Sequence, residues 1–277
     1  MSDGGSRGTA VEARPEQARW EAAPPGPRAV ATFQVFRGDR TGGELRAYQV
    51  PVTEGMVVLD AIHYIQHHLD STLACRWNCK AAKCGSCSAE VNGRPRLMCK
   101  TRVDEFGGQP ITVRPIKVFP LIKDLVTDVS WNYRVNKEIP PFAPAPGDAG
   151  PWRMHPEDVE RLFEFRRCIE CFLCQDVCHV LREHRGTDRY YGPRFMVRIA
   201  ALEMHPKDTA SREELLHGKG GIGYCNITKC CEEVCPEHIT ITDNAIIPLK
   251  ERVADAFYDP WRALLRRLRG RKEPRGT

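Results

Sequence analysis

Apolar and polar side chains alternate through residues 31–37 (ATFQVFR) and again through 44–52 (ELRAYQVPV). A two-residue period turns one side of a strand inward and the other outward, so both stretches predict half-buried strands. Gly38-Asp39 and Gly42-Gly43 between them predict the turn of a hairpin. The period then changes. In residues 56–69 (MVVLDAIHYIQHHL), Val58, Ile62 and Ile65 fall near one face of a helix. Residues 88–98 return to short β-prone runs around Asn92-Gly93, a hairpin signal. Residues 111–116 (ITVRPI) read as a closing strand.

Residues 139–151 (IPPFAPAPGDAGP) hold five prolines and two glycines and read as a linker. Beyond them the pattern is helical. Residues 157–167 carry Val159, Leu162, Phe163 and Phe165, and Pro193 stands at a first helical position before RFMVRIAALEM. Ser211 followed by Glu214 predicts a capping box. The chain therefore divides into five stretches. Residues 1–29, rich in Ala, Gly, Pro and Arg, are expected to be disordered or draped on a partner. Residues 30–138 form a domain whose order of hairpin, helix, cysteine loop and strands fits a β-grasp. The linker over 139–151 leads to an α-helical domain over 152–258 and a basic tail over 259–277. The fold class is α+β.

Hydrophobic residues make up 42% and charged residues 28%, ordinary for a soluble globular protein. Thirteen cysteines are not ordinary, and their odd number rules out complete disulfide pairing. The N-terminus carries Asp3, Glu12, Glu16 and Glu21 and lacks the apolar stretch of a secretion signal. Reduced, metal-binding thiols are the better reading. No apolar run approaches the ~18 residues that a membrane span needs. Membrane association is expected through a partner or a surface helix. The net charge of +5 gathers in the tail, where seven basic residues face Glu273. A nucleic-acid reading would rest on that tail alone.

The cysteines form three blocks. Cys168, Cys171, Cys174 and Cys178 are spaced C-x2-C-x2-C-x3-C. In bacterial ferredoxins three cysteines so spaced hold one [4Fe–4S] cube and the fourth reaches a second cluster. Residues 225–236 (CNITKCCEEVCP) supply the companion block. On the same template they read Cys225, Thr228, Cys231, Cys235 and Pro236, with Thr228 where a cysteine is expected. A hydroxyl is a poor ligand for cluster iron, and a cube short of one ligand tends to lack that iron. Cys178, Cys225 and Cys231 are therefore expected to hold a [3Fe–4S] cluster. Cys235 is expected to cross back and complete the [4Fe–4S] site with Cys168, Cys171 and Cys174. The first block, Cys79, Cys84, Cys87 and Cys99, opens with the plant-type [2Fe–2S] spacing but has a shorter last interval. Gly85 lets backbone approach that cluster. Cys75 reads as a structural bystander. Cys230 could exchange with Cys231 or act as a fourth ligand, and the register favours Cys231. Zinc is the plainer alternative, but four cysteines at three-residue steps leave little room for a tetrahedral knuckle.

A [2Fe–2S] β-grasp domain followed by a helical domain with [4Fe–4S] and [3Fe–4S] blocks resembles the iron–sulfur subunits of succinate dehydrogenase and fumarate reductase. The resemblance covers roughly residues 30–250. LACRWNCKAAKCGSC, residues 73–87, resembles the actinobacterial branch of that family. It implies a wire: electrons leave a flavoprotein subunit with covalently bound FAD, cross the [2Fe–2S], [4Fe–4S] and [3Fe–4S] centres singly, and reach quinone. The ferredoxin domain would dock the flavoprotein, and the helical domain an integral membrane anchor on the cytoplasmic face of the cell membrane. Dicarboxylate chemistry would lie on the flavoprotein, and this chain carries no nucleotide-phosphate loop, nucleophile motif or paired catalytic carboxylates. One stretch departs from the family. Cys178 is followed by His179-Val180-Leu181 instead of Pro, Ser and a nearby Trp, and Asn226 replaces the usual His. Those replacements predict that electrons pass first to a heme or another metal centre in the membrane subunit.

His179 reads as a polar residue facing that subunit, with proton donor or extra ligand as the sharper alternative. His63, His67 and His68 read as a solvated or interface face. Trp131, Trp152 and Trp261 read as packing residues. In the tail, Trp261, Leu264, Leu265 and Leu268 recur at helical spacing between arginines, a pattern suited to anionic lipid or an acidic partner face. Two further functions remain open from sequence: the same wire run in reverse for fumarate reduction, and a free-standing ferredoxin-like carrier. A nucleic-acid-binding zinc protein is a remote fourth.

Overall fold

A computed structural model describes residues 29–184 and 189–261. The N-terminal extension, apart from Ala29, and the tail beyond Trp261 lie outside the described residues. Strands β1 (Ala29–Asp39) and β2 (Gly42–Val52) pair antiparallel over their whole length. Their alternation buries Phe33 and Val35 on one strand and Tyr48 and Val50 on the other. Strands β3 (Ser88–Val91) and β4 (Arg94–Leu97) form a second hairpin. Asn92 and Gly93 between them have φ of 47° and 75°, as a tight I′ turn demands. Strand β5 (Ile111–Arg114) lies antiparallel to β3 and parallel to β1. Strands β6 (Leu121–Lys123) and β7 (Val126–Thr127) complete a seven-stranded sheet. Helix α1 (Val58–Tyr64) continues as a π-helical turn over Ile65–Leu69. Its Val58, Leu59, Ala61 and Ile62 join the core of the sheet, the β-grasp arrangement.

Among the described residues eight further α-helices follow: α2 (Ser130–Glu138), α3 (Pro156–Arg166), α4 (Leu173–Val177), α5 (His179–Glu183), α6 (Pro193–Glu203), α7 (Glu213–His217), α8 (Cys230–Glu233) and α9 (Ile247–Phe257). Helix α6 starts at Pro193 as its sequence predicts and is the centre of this half. Phe195, Met196, Ile199 and Ala200 are wholly buried, each large apolar side chain contributing about 1.5–3 kcal/mol. One local expectation fails, and one expected helix buries only part of its apolar set. The capping box is not formed: α7 starts at Glu213 with Arg212 at its cap, and Ser211 only accepts from the Glu213 N–H at 3.3 Å. In α3, Leu162 and Phe165 point inward while Val159 and Phe163 are exposed, because the helix covers only a narrow stripe of α6.

The proline-rich stretch is strapped down. Arg212 is fully buried and donates to the carbonyls of Pro140 (2.8 Å) and Pro141 (2.9 Å) while pairing with Asp208 and Glu203. Phe142 packs between Trp152 and His205. The two halves also share a core. Cys171, Leu173 and Val234 from the helical half pack into the apolar cluster beneath the sheet. Arg94 donates to the Glu233 carbonyl, Lys100 to the Pro236 carbonyl and Arg182 to the Glu90 carboxylate.

Candidate metal centres

Asp124, nearly inaccessible, sets the frame for the first cysteine block. It accepts hydrogen bonds from Arg37 Nε and the Gly38 N–H at 3.0 Å and from the Ala74 N–H at 2.8 Å. The loop that follows brings its cysteines together. Cys79 lies within hydrogen-bonding reach of Cys84, and Cys87 faces both Cys84 and Cys99. The N–H groups of Ala81 and Lys83 both point at the Cys79 sulfur, at 3.3 Å.

The second and third blocks share one backbone design. Glu170 and Phe172, two and four residues after Cys168, have φ of 55° and 62°. Ile227 and Lys229, two and four residues after Cys225, have φ of 62° and 61°. Both turns end in a short helix, α4 from Leu173 and α8 from Cys230. The wind places Thr228 at the station of Cys171, Cys231 at that of Cys174, and Cys230 at that of Leu173. Among the described residues, seven of the nine non-glycine positions with positive φ lie in the cysteine loops: Lys80, Ala82, Glu170, Phe172, Ile227, Lys229 and His238. Such conformations are strained for L-residues and concentrate where backbone is shaped for function. Sequence reading found no signal for them, since apart from His238 none of these side chains favours a left-handed turn.

The sulfurs gather across the blocks. Cys168, Cys171, Cys174 and Cys235 line one pocket, closed over by Ile169, Val197, Ile239 and Ile241. Cys178 faces Cys225 and Cys230, and Cys231 faces the same two. Cys174 also faces Cys231, so the second and third groups adjoin. The first and second groups meet at Gly85 (φ 69°), where a Cβ would lie 2.5 Å from Cys171 Cα. The Ser88 hydroxyl there is shared between the carbonyls of Cys171 (2.8 Å) and Gly85 (2.9 Å).

The donor chemistry suits iron–sulfur clusters. Burial pushes the thiols of Cys87, Cys171 and Cys231 up to about 12 and that of Cys178 to about 11. Crowded buried thiols of this kind become thiolates only when a cation compensates them. Against its own desolvation, bonds from Ser86 and Cys79 bring Cys84 down to about 7. Among the described residues no three ligating side chains converge on the position of a single ion.

The remaining candidates fall out as follows. Cys75 stands apart from the other sulfurs; burial pushes it up to about 12, and it donates to the Arg76 carbonyl at 3.7 Å. Cys230 lies 3.3 Å from the Thr228 hydroxyl. His67 and His68 are exposed, but His63, on α1, packs its ring on Trp77 with Nε2 buried. His179 Nε2 and Asn226 Nδ2 are 2.7 Å apart beside Cys178 and Cys225. Trp131 packs on Phe119 and Phe195 and Trp152 on Phe142, whereas Trp261 is 74% exposed. Sequence reading missed Tyr190, buried against the third group, and Thr242, whose hydroxyl is 3.6 Å from the Cys231 sulfur.

Residues 32–133 match the family described as a 2Fe-2S iron-sulfur cluster binding domain, and residues 164–239 match the 4Fe-4S dicluster domain. The fumarate reductase iron-sulfur subunit of Mycobacterium tuberculosis is 31% identical over 200 residues, covering 70% of this chain and 80% of that protein. The succinate dehydrogenase iron-sulfur subunit of Bacillus subtilis is 27% identical over 76% of this chain and 87% of its own length. A chain in the solved Mycobacterium smegmatis Sdh1 complex in the apo form superposes with a TM-score of 0.80 at 59% identity, covering 83% of this chain and 98% of that one.

Proposed function

Because the chain belongs to the iron–sulfur subunits of fumarate reductase and succinate dehydrogenase, we propose that it carries single electrons between a flavoprotein subunit and a membrane-anchored acceptor. Bound iron–sulfur clusters supply the reversible one-electron chemistry. Cys79, Cys84, Cys87 and Cys99 would hold [2Fe–2S]; Cys168, Cys171, Cys174 and Cys235 would hold [4Fe–4S]; Cys178, Cys225 and Cys231 would hold [3Fe–4S]. The chain's own work is to order these sites, shield them from water and aim N–H groups at their sulfurs.

The observation that carries this reading is the contiguity of the three sulfur groups. Gly85 and Ser88 close the step from first to second, and Cys174 with Cys231 closes the step from second to third. The repeated wind also supports an exit. Cys171 is covered by the first domain, whereas its counterpart Thr228 is exposed beside Tyr224 and Ile227. An apolar cavity of about 400 Å³ opens nearby between Tyr224, Val253 and Tyr258. This face suits an integral membrane partner that would hold the subunit on the cytoplasmic side of the membrane. Among the described residues no helix is long and apolar enough to cross a membrane. The pair His179–Asn226 on the same face favours a heme or metal centre of that partner, ahead of quinone, as the first acceptor.

The test is electron paramagnetic resonance on the purified complex, as isolated and after dithionite, with iron, acid-labile sulfide and partner subunits quantified. An oxidised three-iron signal plus reduced [2Fe–2S] and [4Fe–4S] signals supports the assignment. Two cubes without a three-iron signal overturns the ligand set at Thr228. Rates with donors at either end then fix the favoured direction, and purification of the chain without a flavoprotein would favour the free carrier.

A further inference from the structure

Tyr190 sits at the start of the loop into α6, and its side chain is among the largest that are wholly buried. A phenylalanine would fill that space equally well. The hydroxyl is the feature to explain, for a buried O–H without an acceptor loses its hydration for nothing in return. This hydroxyl makes no hydrogen bond among the described residues. What it faces is sulfur: Cys225 foremost, with Cys178 and Cys231 beside it. An ordinary phenol is protonated at neutral pH, so toward a thiolate or sulfide it acts as a donor.

Its backbone is fixed from both sides by the segments that carry those cysteines. Gln175, three residues before Cys178, donates to the Tyr191 carbonyl at 2.9 Å. The Tyr191 N–H donates to the Gly220 carbonyl at 3.1 Å, five residues before Cys225. Gly221 (φ 58°) lies so close to Arg189 that a Cβ would come within 1.6 Å of its carbonyl oxygen. The hydroxyl is thus pre-aimed at the third sulfur group.

We propose that the Tyr190 hydroxyl donates a hydrogen bond into the third site, to the Cys225 sulfur or an adjacent cluster sulfide, and thereby raises that cluster's reduction potential. This rests on the reading of Cys178, Cys225 and Cys231 as cluster ligands. A donor to sulfur stabilises the more negative, reduced form, and hydrogen bonding to sulfur is a known lever on such potentials. Tyr190 acts as a positioning residue of the wire's last step and is not itself oxidised.

The experiment is a redox titration of the intact complex, native and Tyr190→Phe, following the third cluster by electron paramagnetic resonance. In the variant the reduced-to-oxidised ratio at fixed ambient potential is expected to fall about tenfold, which is roughly 59 mV for one electron. The first cluster's potential and the iron content stay unchanged. An unchanged potential with an intact signal overturns the inference alone. If Tyr190→Phe does not retain the cluster, Tyr190→Met replaces it, and loss of the signal from both also overturns the inference, since a tuning donor leaves its cluster in place. A native complex without a three-iron signal would remove the ligand reading itself, and this inference with it.

Discussion

Gly85 shows how much one residue can control here. Its left-handed backbone and missing Cβ let the first cysteine loop touch Cys171 directly. In Gly85→Ala the new methyl would meet the Cys171 backbone, which must move or push the loops apart. We expect a destabilisation of about 1–3 kcal/mol, typical of overpacking, with slower electron passage from first to second site at unchanged iron content. Freeze-quench spectroscopy of the two reduced clusters and a thermal melt check both parts. Arg212 gives a second case. Removing a fully buried guanidinium takes the nearest cation from Asp208 and Glu203, so Arg212→Met should cost roughly 3–5 kcal/mol, read as a large fall in melting temperature. The cysteines were legible because their spacing is their chemistry. Arg212 and Tyr190 were not, because each draws its role from partners distant in sequence.

At the scale of elements, alternation and period located β1 to β5, α1, α3 and α6. Strands β6 and β7 are too short to show a period, and their place depends on Asp124 and the edge of β1. Helix α2 buries only Asn132 and Val135, too few to mark a face. The repeated left-handed wind was invisible for a different reason: Glu170, Phe172, Ile227 and Lys229 are held there by the turn as a whole, against their own preference. That wind makes Thr228 testable. If it occupies the station of Cys171, Thr228→Cys supplies a fourth thiolate in correct register. The three-iron signal should then disappear and the complex gain one further iron, measured by resonance and iron analysis. Retention of the three-iron signal would separate the backbone register from the ligand set.

The whole molecule depends on a charged seam between its halves. Arg182 donates to Glu90 at 2.8 Å, Lys117 Nζ lies 2.5 Å from the same carboxylate, and Asp176 accepts from the N–H groups of Lys117 (2.7 Å) and Val118 (3.2 Å). Glu90 and Asp176 are both inaccessible to solvent. Burial first, and then the charge of Glu90, push the Asp176 carboxyl up to about 6, while Arg182 and the two N–H groups pull the other way. An unfolded aspartate titrates near ~3.9. Folding therefore takes up a proton between these values. On this account stability is fullest below the unfolded value and is lost as pH rises through about 6. Asp176→Asn keeps an oxygen to accept the two N–H groups and removes the charge. Relative to the native subunit, the variant should become progressively more stable from about pH 4 to about pH 7 and level off above that, as read by the temperature at which cluster absorbance bleaches. A relative stability that instead declines over that range would mean that Arg182 and Lys117 more than compensate the buried pair. The seam would then be an ion-pair lock holding the [2Fe–2S] half against the helical half, with ionised Asp176 as one of its attractive members.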